Sequence, residues 1–131
     1  MTPALLLAAA VACSSPYVVD GDTLQCGPAR VRLYGVQAPE LAHFGRRAEP
    51  FAAEATRRLQ ALTRGPVTCR EAGNSRDRYG RMVARCSGPG TPDLGRRLVR
   101  EGWATDWSRY SGGEYLLDEV AAHKAGVGRW K

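Results

Sequence analysis

Charged residues that could act on a phosphate ester are grouped at three places in the sequence. The first is Asp20-Gly21-Asp22-Thr23, the second is Arg32-Leu33-Tyr34-Gly35-Val36-Gln37-Ala38-Pro39-Glu40, and the third is Arg76-Asp77-Arg78-Tyr79-Gly80-Arg81. Carboxylates can hold a cation and orient water, and separated guanidinium groups can bind phosphate oxygens bidentately. These residue types therefore indicate metal-assisted attack of water on a phosphodiester.

Short strands are predicted to position the first two groups. Three runs have β-type composition, residues 17–19, 23–26 and 31–36. In the third run Val31 and Leu33 alternate with Arg32, so Arg32 should point away from the face that they occupy. Pro39 is unsuited to a strand interior, which leaves residues 37–40 as a loop at the strand end.

Three helices and two further strands are predicted in the rest of the chain. Phe51, Ala55, Leu59 and Leu62 recur at helical spacing and should face inward, with Pro50 in the first turn. The predicted helices cover about residues 49–63, a segment capped by Asp93 and stopped by Gly102, and about residues 114–125. The further strands are residues 67–71 and 81–86. This order indicates an α+β fold, a five-stranded Greek-key β-barrel covered by three helices.

The size and charge of the chain limit its class. A chain of 131 residues has room for one modest core, and we expect a monomeric domain over residues 13–131. The formal charge of +6 favours a polyanionic partner such as nucleic acid. Arginine-rich genome composition is an equal alternative, because only Lys124 and Lys131 are lysines among the 19 basic residues.

The first twelve residues have the character of an export signal. They carry no charged side chain, and Ala10-Val11-Ala12 has the small-residue pattern of a signal-peptidase site. The run is shorter than the about 20 apolar residues that span a bilayer, so we expect no transmembrane segment. The protein is therefore predicted to be periplasmic or secreted. The alternatives are an N-terminal arm and a lipid anchor at Cys13, of which the anchor is disfavoured.

The four cysteines are predicted to form two disulfides. Cys13 and Cys26 flank the Asp20-Gly21 turn almost symmetrically, and Cys69 and Cys86 flank the third charged group in the same way. Residues equidistant from the turn of an antiparallel hairpin face one another at a separation that suits a disulfide. A zinc site is disfavoured because the sequence has no CxxC pair. Disulfides Cys13–Cys26 and Cys69–Cys86 imply an oxidising compartment.

The order of these motifs resembles the staphylococcal-nuclease (thermonuclease) family over about residues 16–130. Besides the three charged groups, the resemblance includes Leu98-Val99-Arg100-Glu101-Gly102-Trp103-Ala104 and Gly126-Val127-Gly128-Arg129-Trp130. It implies an OB-fold barrel with three helices and calcium-dependent hydrolysis of DNA and RNA with little sequence preference.

The resemblance also implies roles for individual residues. Glu40 matches the general base, and Arg32 and Arg81 match the two arginines that hold the scissile phosphate. The calcium ligands correspond to Asp22, Gln37 and the backbone carbonyl of Ala38. The residues that match contacts to the nucleotide are Arg78 and Tyr79 at a terminal phosphate, and Trp107 and Tyr110 beside the nucleotide.

One position departs from the family pattern. Gln37 stands where the family has a second calcium-ligating aspartate. An amide offers one neutral oxygen, and ligand charge strongly tunes calcium affinity, so we expect a weakened Ca²⁺ site, with other divalent cations as alternatives. Two alternative functions follow: a catalytically weakened module that binds nucleic acid or another phosphate ligand, and an interaction domain at the cell envelope.

Overall fold

The structure is a computed structural model that describes residues 9–131. The strands are β1 Ala10–Cys13, β2 Tyr17–Asp20, β3 Thr23–Cys26, β4 Ala29–Leu33, β5 Val36–Gln37, β6 Val67–Arg76, β7 Met82–Ser87 and β8 Thr105–Asp106. The helices are α1 Ala52–Leu62, α2 Leu94–Arg100, α3 Ser108–Ser111 and α4 Leu116–Ala125, followed by a 3₁₀ turn over Gly128–Trp130.

Six of the strands form one curled sheet in the order β1-β6-β7-β4-β3-β2, and β5 pairs with β8 in a second, two-stranded sheet. Most neighbours in the large sheet are antiparallel, but β4 and β7 run parallel, with Val31 opposite Met82. This half-barrel with its covering helices confirms the predicted α+β, OB-type fold class. The strand count is higher than predicted because β1 and the short β5–β8 pair are added.

The core lies between the curled sheet and the helices. Its fully buried side chains include Leu24, Val31, Leu59, Leu98 and Tyr115. Helix α1 buries Ala52, Ala55, Leu59 and Leu62, as its spacing predicts. Burying one such leucine contributes about 1.5–3 kcal/mol, so this face holds α1 against the sheet.

Two helix starts differ from the predictions, and one helix is additional. Helix α1 begins at Ala52 because Phe51 has a left-handed backbone (φ 69°), which also leaves Phe51 partly exposed and Pro50 outside the helix. Helix α4 begins at Leu116, after Gly112 (φ 67°) and Gly113 (φ 90°) separate it from α3. Helix α3 was not predicted. The Asp93 cap is confirmed, since its side chain accepts a hydrogen bond from the Arg96 amide.

Both predicted disulfides are confirmed, but only one of them bridges a hairpin. Cys69 and Cys86 are directly opposite each other on β6 and β7, with Cα atoms 4.0 Å apart. Cys13 lies on β1, which pairs with β6, so the Cys13–Cys26 bridge joins β1 at one sheet edge to β3 near the other. Cys13 is not part of the β2–β3 hairpin, because β2 begins at Tyr17, so the predicted hairpin position of this first pair was wrong.

The predicted export segment lies mostly outside the described residues, since its residues 1–8 are not among them. Its last part is in strand β1, and the Ala9 carbonyl accepts a hydrogen bond from the Glu71 amide at 2.8 Å. None of the helices within residues 9–131 has the length and apolar character that a bilayer crossing demands.

Candidate active site

Basic and aromatic side chains surround one open cavity of about 630 Å³. Its wall includes five arginines and one carboxylate, that of Asp77. The arginines are Arg32, Arg76, Arg78, Arg81 and Arg109, and the aromatic residues are Tyr34, Tyr79, Trp107 and Tyr110. The cavity therefore suits a negatively charged ligand with planar groups.

Arg32 lies on the central strand β4 and is only 7% exposed. One terminal nitrogen donates a hydrogen bond to the Leu33 carbonyl at 2.8 Å, and the other lies 3.3 Å from the Asp22 carboxylate. The guanidinium carbon is 5.3 Å from the centre of the Trp107 ring. These contacts fix the guanidinium in place before any ligand arrives, which is the arrangement that an electrostatic site requires.

Asp22 is the buried carboxylate beside Arg32. It accepts hydrogen bonds from the Thr23 hydroxyl at 3.1 Å and the Ala38 amide at 2.9 Å. Burial raises the pKa of Asp22 to about 7, the charge of Arg32 opposes this rise, and the nearby Asp20 carboxylate adds to it. A bound cation would be favourable here, because it would offset the repulsion between the Asp20 and Asp22 carboxylates in a site with little water.

The residues around Asp22 fit an oxygen-liganded cation only in part. Asp20 and Asp22 are adjacent acidic groups, and Asp20 also accepts a hydrogen bond from the Asp22 amide. Gln37 is exposed at the end of β5, and Ala38 is buried with its amide turned to Asp22. Within residues 9–131 no three His, Cys, Asp or Glu side chains are grouped as a metal-binding cluster. The donor types suit Ca²⁺, but their small number predicts weak binding.

Glu40 is not on the wall of the cavity. Its carboxylate is half exposed and lies 3.8 Å from Nε2 of His43. Its backbone is held by Glu49, whose carboxylate accepts from the Glu40 amide at 3.0 Å and whose amide donates to the Glu40 carbonyl at 2.8 Å. Glu40 follows Ala38 by two residues, so it is near the Asp22–Arg32 pair along the chain. Its role as a base remains a prediction.

Arg81 is held by Asp77 across the β6–β7 turn. Its Nε donates to the Asp77 carboxylate at 2.6 Å, and its amide donates to the same carboxylate at 3.0 Å. Burial raises the pKa of Asp77, but hydrogen bonds from Arg81 and Tyr79 outweigh it and keep the pKa below its usual value. The bond uses Nε, so the terminal nitrogens of Arg81 carry the donors that a phosphate could accept.

Tyr79 and Arg78 are at the tip of the same turn. The Arg78 guanidinium donates to the Tyr79 hydroxyl at 2.7 Å and lies 4.9 Å from the ring centre, and Arg81 lies 5.3 Å from that centre. The ring of Tyr79 is largely exposed. The two residues that the resemblance assigned to a terminal phosphate thus share the cavity with Arg32 and Arg81.

Helix α3 and the residue before it bring Tyr110 and Trp107 to the cavity wall. Their rings meet edge to face with centres 4.4 Å apart. The Trp107 amide donates to the Gly35 carbonyl at 2.8 Å, and the Tyr34 hydroxyl donates to the Tyr110 carbonyl at 3.1 Å. These bonds tie the unpredicted helix to the end of β4, close to Arg32.

Several residues of this site were given no role of their own by the sequence. Arg76 and Arg109 line the cavity, and Asp20 raises the pKa of Asp22. The signal for Arg109 was its place between Trp107 and Tyr110, since basic residues interleaved with aromatic ones are typical of nucleic-acid surfaces. The signal for Asp20 was its spacing of two residues from Asp22.

Comparison with known proteins identifies relatives of the chain. Residues 30–131 match the family model described as "Staphylococcal nuclease homologue". Probable endonuclease LCL3 of Schizophyllum commune is 41% identical over 104 residues, 72% of this chain and 35% of that protein. Probable endonuclease LCL3 of Arthroderma otae is 35% identical over 123 residues, 77% of this chain and 40% of that protein.

A bacterial relative is matched over more of its own length. Succinoglycan biosynthesis protein ExoI of Rhizobium meliloti is 35% identical over 121 residues, which are 87% of this chain and 62% of that protein. The chain thus spans less than two thirds of each of these three relatives.

Proposed function

Because the chain belongs to the family of staphylococcal nuclease homologues, we propose that it is a nuclease that hydrolyses phosphodiesters of DNA and RNA. The single observation that carries the proposal is the location of Arg32 and Arg81 on the wall of one cavity that aromatic rings border. Relatives named probable endonucleases are consistent with it.

Two guanidinium groups stabilise the reacting phosphate in this mechanism. Attack of water builds negative charge on the equatorial oxygens, and donors that are already in place stabilise that charge without reorganisation. Arg32 is fixed by Leu33 and Asp22, and Arg81 is fixed by Asp77. Losing one such donor should slow the reaction about 10²–10³-fold.

Glu40 is the proposed general base. Its carboxylate is half exposed and follows the rigid Pro39. In this proposal the carboxylate turns towards a water molecule next to the bound phosphate. The paired Glu40–Glu49 backbone holds this segment, and the Ala38 amide ties it to Asp22. The carboxylate would take the proton of the attacking water while Arg32 and Arg81 hold the diester in line.

Asp22 and the neutral oxygens of Gln37 and Ala38 would hold a divalent cation, and we expect this cation to be Ca²⁺. Asp20 is close enough to Asp22 to add negative charge to the site. When bound there, the cation supplies positive charge against the phosphate. Because Gln37 contributes no charge, we propose that this site is weak and that the arginines carry more of the stabilisation.

Substrate binding would rely on stacking and phosphate contacts. Trp107, Tyr110 and Tyr79 offer ring faces to bases, and Arg78 offers a donor to a terminal phosphate. Base–aromatic stacking is tolerant of sequence, so cleavage with little sequence preference is expected.

We propose that the protein is exported and monomeric. Its two disulfides fit an oxidising compartment, periplasmic or extracellular. The proposed export segment is residues 1–12. Since the Cys13 sulfur is bonded to Cys26, a lipid anchor at Cys13 is disfavoured.

One observation favours a second candidate, a module that binds nucleic acid without efficient cleavage. The basic and aromatic residues line the cavity, whereas Glu40 does not. A site in which the binding groups line the cavity and the base does not would retain the ligand uncut.

A cleavage assay separates the two functions. The purified protein is incubated with single-stranded DNA and Ca²⁺, with Mn²⁺, or with EDTA, beside a Glu40→Gln variant. Metal-dependent cleavage that is lost in Glu40→Gln is the expected result. Retention of the strand on a gel without cleavage would favour the binding module, and neither retention nor cleavage would contradict both.

A further inference from the structure

The loop that follows Glu40 ends in a tight turn with a fully exposed aromatic ring. His43 and Arg46 exchange backbone hydrogen bonds at 3.2 Å and 2.8 Å, which closes the turn around Phe44 and Gly45. Phe44 is 99% exposed, and its ring has an edge contact with His43 at 5.8 Å between centres. We call residues 43–46 the aromatic turn.

The backbone of the aromatic turn is unfavourable for the residue that occupies it. Phe44 has φ 43° and Gly45 has φ 77°, so both central residues are in the left-handed region. Asn or Gly is the common first residue of such a turn, and a bulky side chain there is an outlier. Strained residues of this kind are concentrated at ligand-binding sites. The Phe44 ring makes almost no packing contact with the folded domain, so it is available to contact a binding partner.

The position of the aromatic turn joins it to the proposed active site. Glu40 and Glu49 are hydrogen-bonded to each other and close the base of the loop. Nε2 of His43 is 3.8 Å from the Glu40 carboxylate. The loop is basic, because Arg46 and Arg47 are exposed and residues 41–48 contain no acidic residue.

We propose that the aromatic turn is a stacking site for an unpaired nucleobase of the bound strand, with Arg46 and Arg47 binding the phosphates on either side. The inference rests on the proposed function and deepens it by assigning this turn a contact with a part of the strand that extends beyond the cavity. A base inside a duplex is already stacked on its neighbours, so Phe44 can take only a base that is unpaired.

A membrane surface is the other class of partner that an exposed ring with two arginines could contact. A single apolar side chain gives a marginal anchor, since stable membrane attachment takes a larger apolar area or a second signal. The aromatic turn also contacts Glu40, the proposed base, through His43. Nucleic acid is therefore the favoured partner.

The test compares Phe44→Ala and Phe44→Trp with the wild type on a single-stranded 20-mer and on a dinucleotide. For Phe44→Ala we expect the KM for the 20-mer to rise roughly 5- to 100-fold, and the effect to shrink on the dinucleotide. Phe44→Trp should keep the wild-type KM, because its ring can stack. A 20-mer with 2-aminopurine should be quenched by the wild type and less by Phe44→Ala.

Leu117→Ala is the matched control, because Leu117 is an 82% exposed apolar residue on α4. It should behave as the wild type in every arm. Equal KM values for wild type and Phe44→Ala on the 20-mer would overturn the inference while leaving the nuclease intact. Absence of any binding or cleavage by the wild type would instead contradict the proposed function. Phe44-dependent sedimentation with anionic vesicles, without an effect on the 20-mer, would overturn the inference in favour of a membrane partner.

Discussion

The guanidinium of Arg32 lies 3.3 Å from the carboxylate of Asp22, and both side chains are only 9% exposed. The same carboxylate oxygen accepts a hydrogen bond from the Ala38 amide at 2.9 Å. The proposed phosphate-binding group, the proposed cation-binding carboxylate and the segment that leads to Glu40 are therefore one connected unit. Substituting Arg32, Asp22 or Ala38 should therefore also alter the position of the other two.

Removing Asp22 should destabilise the fold as well as the site. Asp22→Ala leaves the Arg32 charge buried without its carboxylate, and breaking a buried pair from one side costs about 3–5 kcal/mol. Urea unfolding measures this loss. The double variant Asp22→Ala/Arg32→Met should recover part of it, because it leaves no buried charge. If the double variant is less stable than Asp22→Ala, the pair is not the source of the loss.

Restoring a carboxylate at residue 37 should strengthen cation binding. Gln37→Asp adds a charged oxygen beside Ala38, and the Ca²⁺ concentration for half-maximal cleavage should fall about tenfold. Gln60→Asp, the same change on the exposed face of α1, is the control and should leave this concentration unchanged. An unchanged Ca²⁺ requirement in Gln37→Asp would mean that residue 37 does not face the cation.

The Cys13–Cys26 bridge should stabilise the domain by restricting the unfolded chain. Replacing both cysteines by serine should lower the free energy of unfolding by about 2–3 kcal/mol in the chain-entropy model. In the 131-residue chain with the proposed export segment still attached, the bridge holds β1 against the sheet, so amide exchange of Glu71, which donates to Ala9, should also accelerate when the bridge is removed. The Cys69→Ser/Cys86→Ser variant is the control, and β1 should stay paired in it, so amide exchange of Glu71 should remain as slow as in the wild type. Equal exchange at Glu71 in the wild type and Cys13→Ser/Cys26→Ser would show that β1 pairing does not depend on the bridge.

Glu101 should give the fold an acid-dependent stability. Burial raises the pKa of Glu101, but hydrogen bonds from Arg58 and Arg97 outweigh burial and hold the pKa below its ordinary value of 4.5. The stabilisation is thus fully present above that ordinary value and is lost as the pH falls through the lower, folded-state pKa. In thermal unfolding between pH 3 and 7, the Tm of Glu101→Gln should fall less with decreasing pH than the Tm of the wild type. Glu54→Gln, at an exposed pair, should keep the wild-type profile. If the Tm of Glu101→Gln falls with decreasing pH as steeply as that of the wild type, Glu101 is not the source of the acid-dependent stability.

Local sequence signals predicted the parts of the structure that depend on local geometry. The Asp93 cap, the apolar face of α1 and the Cys69–Cys86 pair follow from spacing within one turn or hairpin. Strand β1 was missed because its partner β6 is distant along the chain, and α3 because it is four residues long and buries none of them. Arg32 and Arg81, which the family motifs selected, line the same cavity. The absence of Glu40 from the cavity wall was not predictable, because it depends on later residues of the loop: His43 lies beside the Glu40 carboxylate and Glu49 holds the Glu40 backbone.

The central claim is that Arg32 and Arg81 hold the same phosphate. A double-mutant cycle with Arg32→Ala, Arg81→Ala and the double variant, measured as kcat on single-stranded DNA, tests it most directly. We predict that each single variant loses about 10²–10³-fold and that the double variant loses less than the product of the two, because residues that share a partner are coupled. A single variant that keeps the wild-type kcat, or losses that multiply as for independent sites, would contradict the account.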